Sequence, residues 1–482
     1  METPQGSEAI QVEAMDDLPC YSATARNTIS SDSGQLINIE SQSRQRIQGV
    51  AASGSTGTSR RTTDTVSTLD DKSNTPWLSL ILTSRPYSSG LPSFVEGEPI
   101  QGRVVIDLAK PQSIDSILIT VKGLIYCNVY ETTTFYSQSK PLWKAADDDA
   151  PRSSILGIRT TKTKSNMRLE GRHVWQFSFS MPHEFEVRKL VARENKLQST
   201  ELIPPTMDGR AGNSSIDYQI IVDVKRRGIL QVDASLPSRF EYTPMSKPPP
   251  ASVLRNEAYL AGSEPLGPNS DAEGWAILSR CEIVRGTLFH TRSVLVKFSF
   301  ALASPLVYTR GSVAPCSLTI QSDDPQALQL FSSPTAPVVY LRRKMSFRAS
   351  TNEMDRRSSP KGGSTFSEKV PLSVGVWKAA SSDSELQSKR CLYGELSLPS
   401  NLVPSFTFGL FGVKYFVEVH PFNVAGFTPN SRDRLIRSEI EIVAGYGDGP
   451  RPKAYLPPGY IAARERMAAA ARGRGSSNST SS

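Results

Sequence analysis

Between Trp77 and Val443 the chain is written in short runs of alternating apolar and polar residues. In "VWQFSFS", Trp175, Phe177 and Phe179 fall on one side and Gln176, Ser178 and Ser180 on the other. In "DYQIIVDVK", Tyr218, Ile220, Val222 and Val224 oppose Gln219, Asp223 and Lys225. A strand points successive side chains to opposite faces, so each run predicts a strand with one buried face. "WLSLIL", "RVVIDL" and "SIDSILITVKGLIYC" follow the same grammar, with Gly, Pro, Ser and charged residues between them as turns. Strands with one apolar face each predict a sheet packed on a second sheet.

A proline-rich break, "TPMSKPPPASV" (243–253), and a Gly/Ser/Asn stretch near 262–273 interrupt this pattern before it begins again. The second block alternates at Val294, Val296, Phe298 and Phe300, and at Val413, Tyr415, Val417 and Val419. Neither block shows a strong helical period. The fold predicted is all-β: two tandem immunoglobulin-like β-sandwiches, 76–243 and 274–446, joined by a linker over 244–273. Residues 1–75 are rich in Ser, Thr, Gly and Gln and poor in bulky apolar residues. Such a segment buries too little to offset its ordering entropy, so a disordered tail is expected there. Residues 447–482 form a second tail, whose "IAARERMAAAARGRG" would make at best a marginal helix.

The chain has 482 residues, 38% hydrophobic and 21% charged, which allows two or three domains with real cores. The longest apolar candidate for a membrane span, "SVLVKFSFALASPLVY", is interrupted by Lys297. The acidic start "METPQGSEAIQVEAMDD" lacks the basic head and apolar middle of a secretory signal, and an intracellular, soluble protein is expected. Cys20, Cys127, Cys281, Cys316 and Cys391 form no CxxC pair and have no His partners at metal spacing, as reduced thiols would be placed. His173, His183, His290 and His420 sit in or beside strand-like runs. No hydrolase elbow, Walker loop or dinucleotide fingerprint occurs, so no enzyme activity, cofactor or metal is expected.

The net charge of +8 changes the picture only through its distribution. Eight basic and three acidic residues are concentrated in "RRKMSFRASTNEMDRRSSPKGGSTFSEK" (342–369), which reads as a hydrophilic insert able to make weak contact with an anionic membrane surface. Single-strand nucleic-acid binders need exposed aromatics beside their basic residues; here the aromatics fall on inward faces, so nucleic acid is not an expected partner. Two basic-flanked hydroxyls are candidate phosphorylation sites: Ser359, after Arg356 and Arg357, and Thr63, after Arg60 and Arg61. A phosphate would add nearly two negative charges and reverse part of the local field.

Fold grammar alone does not choose a function. More specific are "FVEGEPIQGRVVIDL" and the following "SIDSILITVKGLIYC", which resemble the start of the arrestin amino-terminal domain through Gly97, Glu98, Gly102, Val104, Ile106, Ile117, Ile119, Val121 and Gly123. Taken singly, Gly97 and Gly102 fit tight turns or a bulge, and the isoleucines fit a core. "ELIPPTMDGRAGNSSIDYQIIVDVKRRGIL" resembles the family's Leu-Pro-Pro element, at Pro204 and Pro205, leading into the strand at Tyr218. "LPSNLVPSFTFGLFGVKYFVEVH" is similar to the strand in the same relative place of the carboxy-terminal arrestin domain. The resemblance spans about 77–443, well matched in the first block and stretched by the basic insert in the second. No buried ionic switch can be placed by residue.

Beyond the second block lies "AYLPPGY", in which Pro457, Pro458, Gly459 and Tyr460 form a PPxY motif. Proline presets the extended left-handed helix, so little entropy is lost when its ring enters an aromatic slot and the tyrosine fills a second pocket. WW domains read this ligand type. Leu18, Pro19 and Tyr21 in "DDLPCYS" make a weaker LPxY variant, and two sites could engage two WW domains of one partner. The resemblance implies an alpha-arrestin-like adaptor that recruits a WW-containing HECT-type ubiquitin ligase to cytosolic segments of plasma-membrane transporters or receptors. It would then promote their ubiquitination and endocytosis from the cytoplasm, with recruitment to plasma membrane and endosomes. The alternative is an arrestin-fold structural subunit of an endosomal sorting coat, which needs no PPxY.

Overall fold

The computed structural model describes residues 44–47, 62–71, 73–85, 90–126, 132–145, 168–187, 199–207, 215–227, 232–348, 363–367, 371–380, 388–408 and 411–456. In the first half, one sheet orders its strands Arg44–Ile47, Thr63–Asp70, Pro76–Ser84, Ile100–Gln112 and Leu169–Phe179. The sheet facing it runs Ser93–Val95, Ala234–Thr243, Ser215–Arg226, Ile114–Tyr126 and Thr132–Lys144. Between them lie the residues whose alternation predicted burial, among them Val104, Ile106, Ile117, Ile119, Phe177, Phe179, Tyr218 and Val222.

The second half repeats this plan. A six-stranded sheet orders Val376–Ala379, Lys389–Ser397, Val313–Gln321, Arg292–Ala303, Trp275–Leu288 and Phe427–Pro429. Its partner sheet follows the path Val307–Thr309, Ile436–Val443, Phe411–His420, Val338–Arg348 and Gly363–Ser367. Val294, Val296, Phe298 and Phe300 meet Val413, Tyr415, Val417 and Val419 across the interior. The chain is therefore all-β, two tandem sandwiches of arrestin type.

The repeat extends to individual hydrogen bonds. In each half a short strand pairs in parallel with the last long one: Ser93–Val95 beside Glu241–Thr243, and Val307–Thr309 beside Glu441–Val443. In each half a buried tyrosine donates to a loop carbonyl: Tyr218 Oη to Pro204 O at 2.6 Å, and Tyr415 Oη to Val403 O at 2.7 Å. The hydroxyl two residues on accepts a strand amide in both, Tyr242 N to Thr206 Oγ1 and Ile442 N to Ser405 Oγ, each at 2.9 Å. "IPPT" and "LVPS" are thus the same corner.

Two expectations need correction. The amino-terminal tail is shorter than 75 residues, because Thr63–Asp70 pairs along its whole length with Pro76–Ser84. Its fully buried residues are Thr65 and Ser67, with Leu69 only partly buried beside them, and Ser67 Oγ donates to Ser238 Oγ at 3.0 Å across the interior. Hydroxyls satisfied in this way can be buried, so low hydrophobicity hid a strand. Strands also run into the expected basic insert from both sides: Val338–Arg348 pairs with Gly363–Ser367, while 349–362 and 368–369 lie outside the described residues.

Two short helices accompany the strands among the described residues. α1 (Val253–Ala261) starts at Ser252, whose Oγ accepts Arg255 N at 3.2 Å, and ends at Gly262 in the left-handed region. α2 (Pro325–Phe331) starts at Asp324, whose carboxylate accepts the Gln326 and Ala327 amides. Each has a legible cap and stop, but both are too short to register as a period.

The glycines of the arrestin resemblance divide by cause. Gly97, at φ +81°, supplies a turn. Gly102 sits inside a strand, where a Cβ would fall 2.0 Å from the Ile81 carbonyl oxygen and 2.9 Å from the Phe177 ring. Substituting Gly102→Ala should destabilise the protein by about 2 to 3 kcal/mol through forced backbone displacement. Urea unfolding would read this as a lowered midpoint, whereas an unchanged midpoint would contradict the close approach.

Candidate functional site

The described chain ends in a segment held against the second sandwich, immediately before the PPxY motif. After Ile436–Val443, Gly445 N donates to Ser246 O at 2.9 Å and Gly445 O accepts the Thr309 hydroxyl at 2.8 Å. Lys247 pairs with Asp448 at 3.2 Å, so tail and linker run side by side. No Cβ would fit comfortably at Gly445, because Ser246 O and Met245 O lie 3.0 and 3.2 Å from where it would stand. The linker is tied to the first sandwich in turn, since Met245 N donates to Glu96 Oε2 at 2.8 Å.

Farther along, the tail meets Glu395, a carboxylate only 1% exposed on strand Lys389–Ser397. Tyr455 N donates to Glu395 Oε1 at 2.8 Å and Leu456 N to Oε2 at 3.4 Å. Tyr393 Oη donates to Oε1 at 3.0 Å. Burial pushes the Glu395 carboxyl above its ordinary range, while the Tyr455 amide, the Tyr393 hydroxyl, the Leu456 amide and the Lys378 charge act the other way. Leu456 itself is 4% exposed. Tyr455 packs against the cluster of Trp275, Ala301 and Tyr393.

Neighbouring charges stiffen this surface. Lys378 pairs with Glu264 at 2.7 Å and stands 5.5 Å from the centre of the Tyr393 ring. Arg255 of α1, 2% exposed, donates to Ser304 O at 2.8 Å and to Gly274 O, with its guanidinium 5.1 Å from the Trp275 ring centre. Tyr259, on the same helix, has its hydroxyl pushed up to about 12 by burial. Together α1, the linker and strand Lys389–Ser397 form a rigid seat for residues 445–456.

Of the residues expected to act, Thr63 opens strand Thr63–Asp70 opposite Ser84, in a sheet rather than in a tail. Leu18, Pro19, Tyr21, Ser359, Pro457, Pro458 and Tyr460 lie outside the described residues. Pro204 and Pro205 are buried in the corner that Tyr218 closes. Arg342, from the basic stretch, is engaged internally: Glu418 receives it at 3.1 Å together with Arg434 at 2.8 Å. Among the described residues, no group of three or more His, Cys, Asp or Glu could hold a metal ion, and no helix is long and apolar enough to cross a membrane.

Residues 88–234 match the family described as Arrestin (or S-antigen), N-terminal domain. That part of the first sandwich is arrestin-like. No curated protein matches it. The matched segment takes in the Gly97, Gly102 and Gly123 positions, Pro204, Pro205 and the Tyr218 strand. Sequence reasoning missed Glu395: "CLYGELS" places it on the face opposite Leu392 and Leu396, where a glutamate ordinarily meets water. The returning tail supplies two of the donors that satisfy it there.

Arg255 offers a direct check on the seat of the tail. Arg255→Ala leaves the Ser304 and Gly274 carbonyls without their charged donor and should cost about 3 kcal/mol. Denaturant unfolding would show a lower midpoint at unchanged slope, and a loss below about 0.5 kcal/mol would mean that the guanidinium adds nothing to the seat.

Proposed function

We infer that this arrestin-like protein is an adaptor that brings a WW-containing HECT-type ubiquitin ligase to cytosolic segments of plasma-membrane transporters or receptors. The observation that carries this reading is one of position: a complete tandem-sandwich body is followed, one peptide bond beyond its last described residue, by Pro457-Pro458-Gly459-Tyr460. The body would hold cargo and the motif would hold the ligase. The chemistry of ubiquitin transfer belongs to the ligase, while this chain raises the local concentration of ligase at cargo. Ubiquitination and endocytosis of the cargo follow, with the adaptor moving from cytoplasm to plasma membrane and endosomes.

The amino-terminal Leu18-Pro19-x-Tyr21 is a second, weaker docking point in this scheme. Basic residues of the 342–369 stretch other than Arg342 add a weak attraction to anionic membrane, and phosphorylation at Ser359 would reduce it. Thr63 is less suited to modification, because a kinase needs an extended substrate and Thr63 is tied into a ladder.

Binding of a purified WW-domain array to the full-length protein tests the reading. Tyr460→Ala should weaken capture at least tenfold, and adding Tyr21→Ala should remove the remainder. Equal capture by the wild type and both variants would overturn the adaptor reading in favour of a structural coat subunit.

A further inference from the structure

The anchored tail and the motif are too close together to act independently. Leu456 is buried, its amide and that of Tyr455 are bonded to Glu395, and Pro457 is the next residue. Consecutive Cα atoms are about 3.8 Å apart, so the first motif proline cannot leave the neighbourhood of the sandwich surface while Leu456 stays seated. A domain that encloses a proline ring between aromatic side chains must surround that ring on several sides. A sandwich one residue away from the motif occupies part of the space that such a domain needs.

We propose that Glu395 is a latch: by holding the Tyr455 and Leu456 amides it withholds the PPxY motif, and a WW partner captures the motif only when residues 453–456 are released. This rests on the reading of Pro457-Pro458-Gly459-Tyr460 as a WW ligand and adds its regulation. The chemistry suits a latch rather than a permanent joint. Both tail amides converge on a single carboxylate, so the contact with the tail forms or breaks as a unit. The remaining bond from Tyr393 keeps Glu395 partnered when the tail departs. The apparent affinity for a partner is then reduced by the fraction of time the tail is released.

The test uses the full-length chain carrying Tyr21→Ala, so that only the carboxy-terminal motif is counted, with a purified WW-domain array as probe and a synthetic peptide of residues 450–466 as the unlatched reference. Glu395→Gln replaces one acceptor oxygen with an NH2 donor facing an amide donor. Tyr455→Pro deletes the stronger donor from the tail side, together with the ring that packs on Trp275, Ala301 and Tyr393, and is compared with a peptide bearing the same change. Hydrogen exchange at Leu456, and at Tyr455 where it remains, reads the latch without reference to any partner. Unchanged exchange in strand Ile436–Val443 certifies the fold.

In the chain carrying native Glu395 and Tyr455, these amides should be protected at least tenfold relative to the peptide, and its affinity for the array should be about tenfold below that of the peptide. Both variants should lose the protection and bind within about twofold of their peptides. Peptide-like exchange in the native tail would overturn the latch. Protected amides with peptide-like affinity would overturn the withholding. A peptide that fails to bind the array would overturn the WW-ligand reading and the withholding with it, while the exchange data would still decide whether Glu395 holds the tail.

Discussion

The hydroxyl of Tyr218, donating to the Pro204 carbonyl at 2.6 Å, is the contact on which the first sandwich and its union with the second depend. A buried phenol without an acceptor would destabilise the core, so the Leu-Ile-Pro-Pro loop must return to the strand end where that hydroxyl lies. Burial raises the Tyr218 phenol well above its ordinary pKa, keeping it a donor at any physiological pH. Its ring then meets Phe240, Tyr242 and, edge-on at 5.8 Å, Phe135. Phe135 in turn lies 5.2 Å from Phe408 of the second half, with Phe185 at 5.8 Å from the same ring. One tyrosine therefore closes a corner and supports the aromatic bridge between the halves.

The second half builds the same corner from different residues, with Tyr415 reaching Val403 and Ser405 in place of Thr206. What is repeated is the pairing of donors and acceptors rather than the side chains. This explains why the resemblance in the second block is loose at the level of sequence. A carbonyl offered to a tyrosine comes from the backbone, and valine provides it as well as proline.

The same distinction separates what was legible in the sequence from what was not. Strands with large apolar residues on one face, such as those through Phe177 and Tyr218, could be read directly, because burial and alternation coincide there. Strand Thr63–Asp70 could not, since its fully buried residues are Thr65 and Ser67 and its fit depends on Ser238, 171 positions away from Ser67. The PPGY motif is a local string and was visible at once. Glu395 was invisible for the opposite reason: its partners are the amides of residues 455 and 456, and an amide has no signature in sequence. Short helices with clear caps were missed because seven or nine residues do not establish a period.

The linker and the outgoing tail are bound to one another by Gly445 N to Ser246 O and by Lys247 to Asp448, and the linker is bound to the first sandwich by Met245 N to Glu96. Any twist of one sandwich against the other about residues 244–252 must therefore shear the root of the tail as well. Linker and tail form one mechanical joint, so a pull on the tail would be transmitted to the angle between the two sandwiches, and a twist of one sandwich against the other would be transmitted back along the tail.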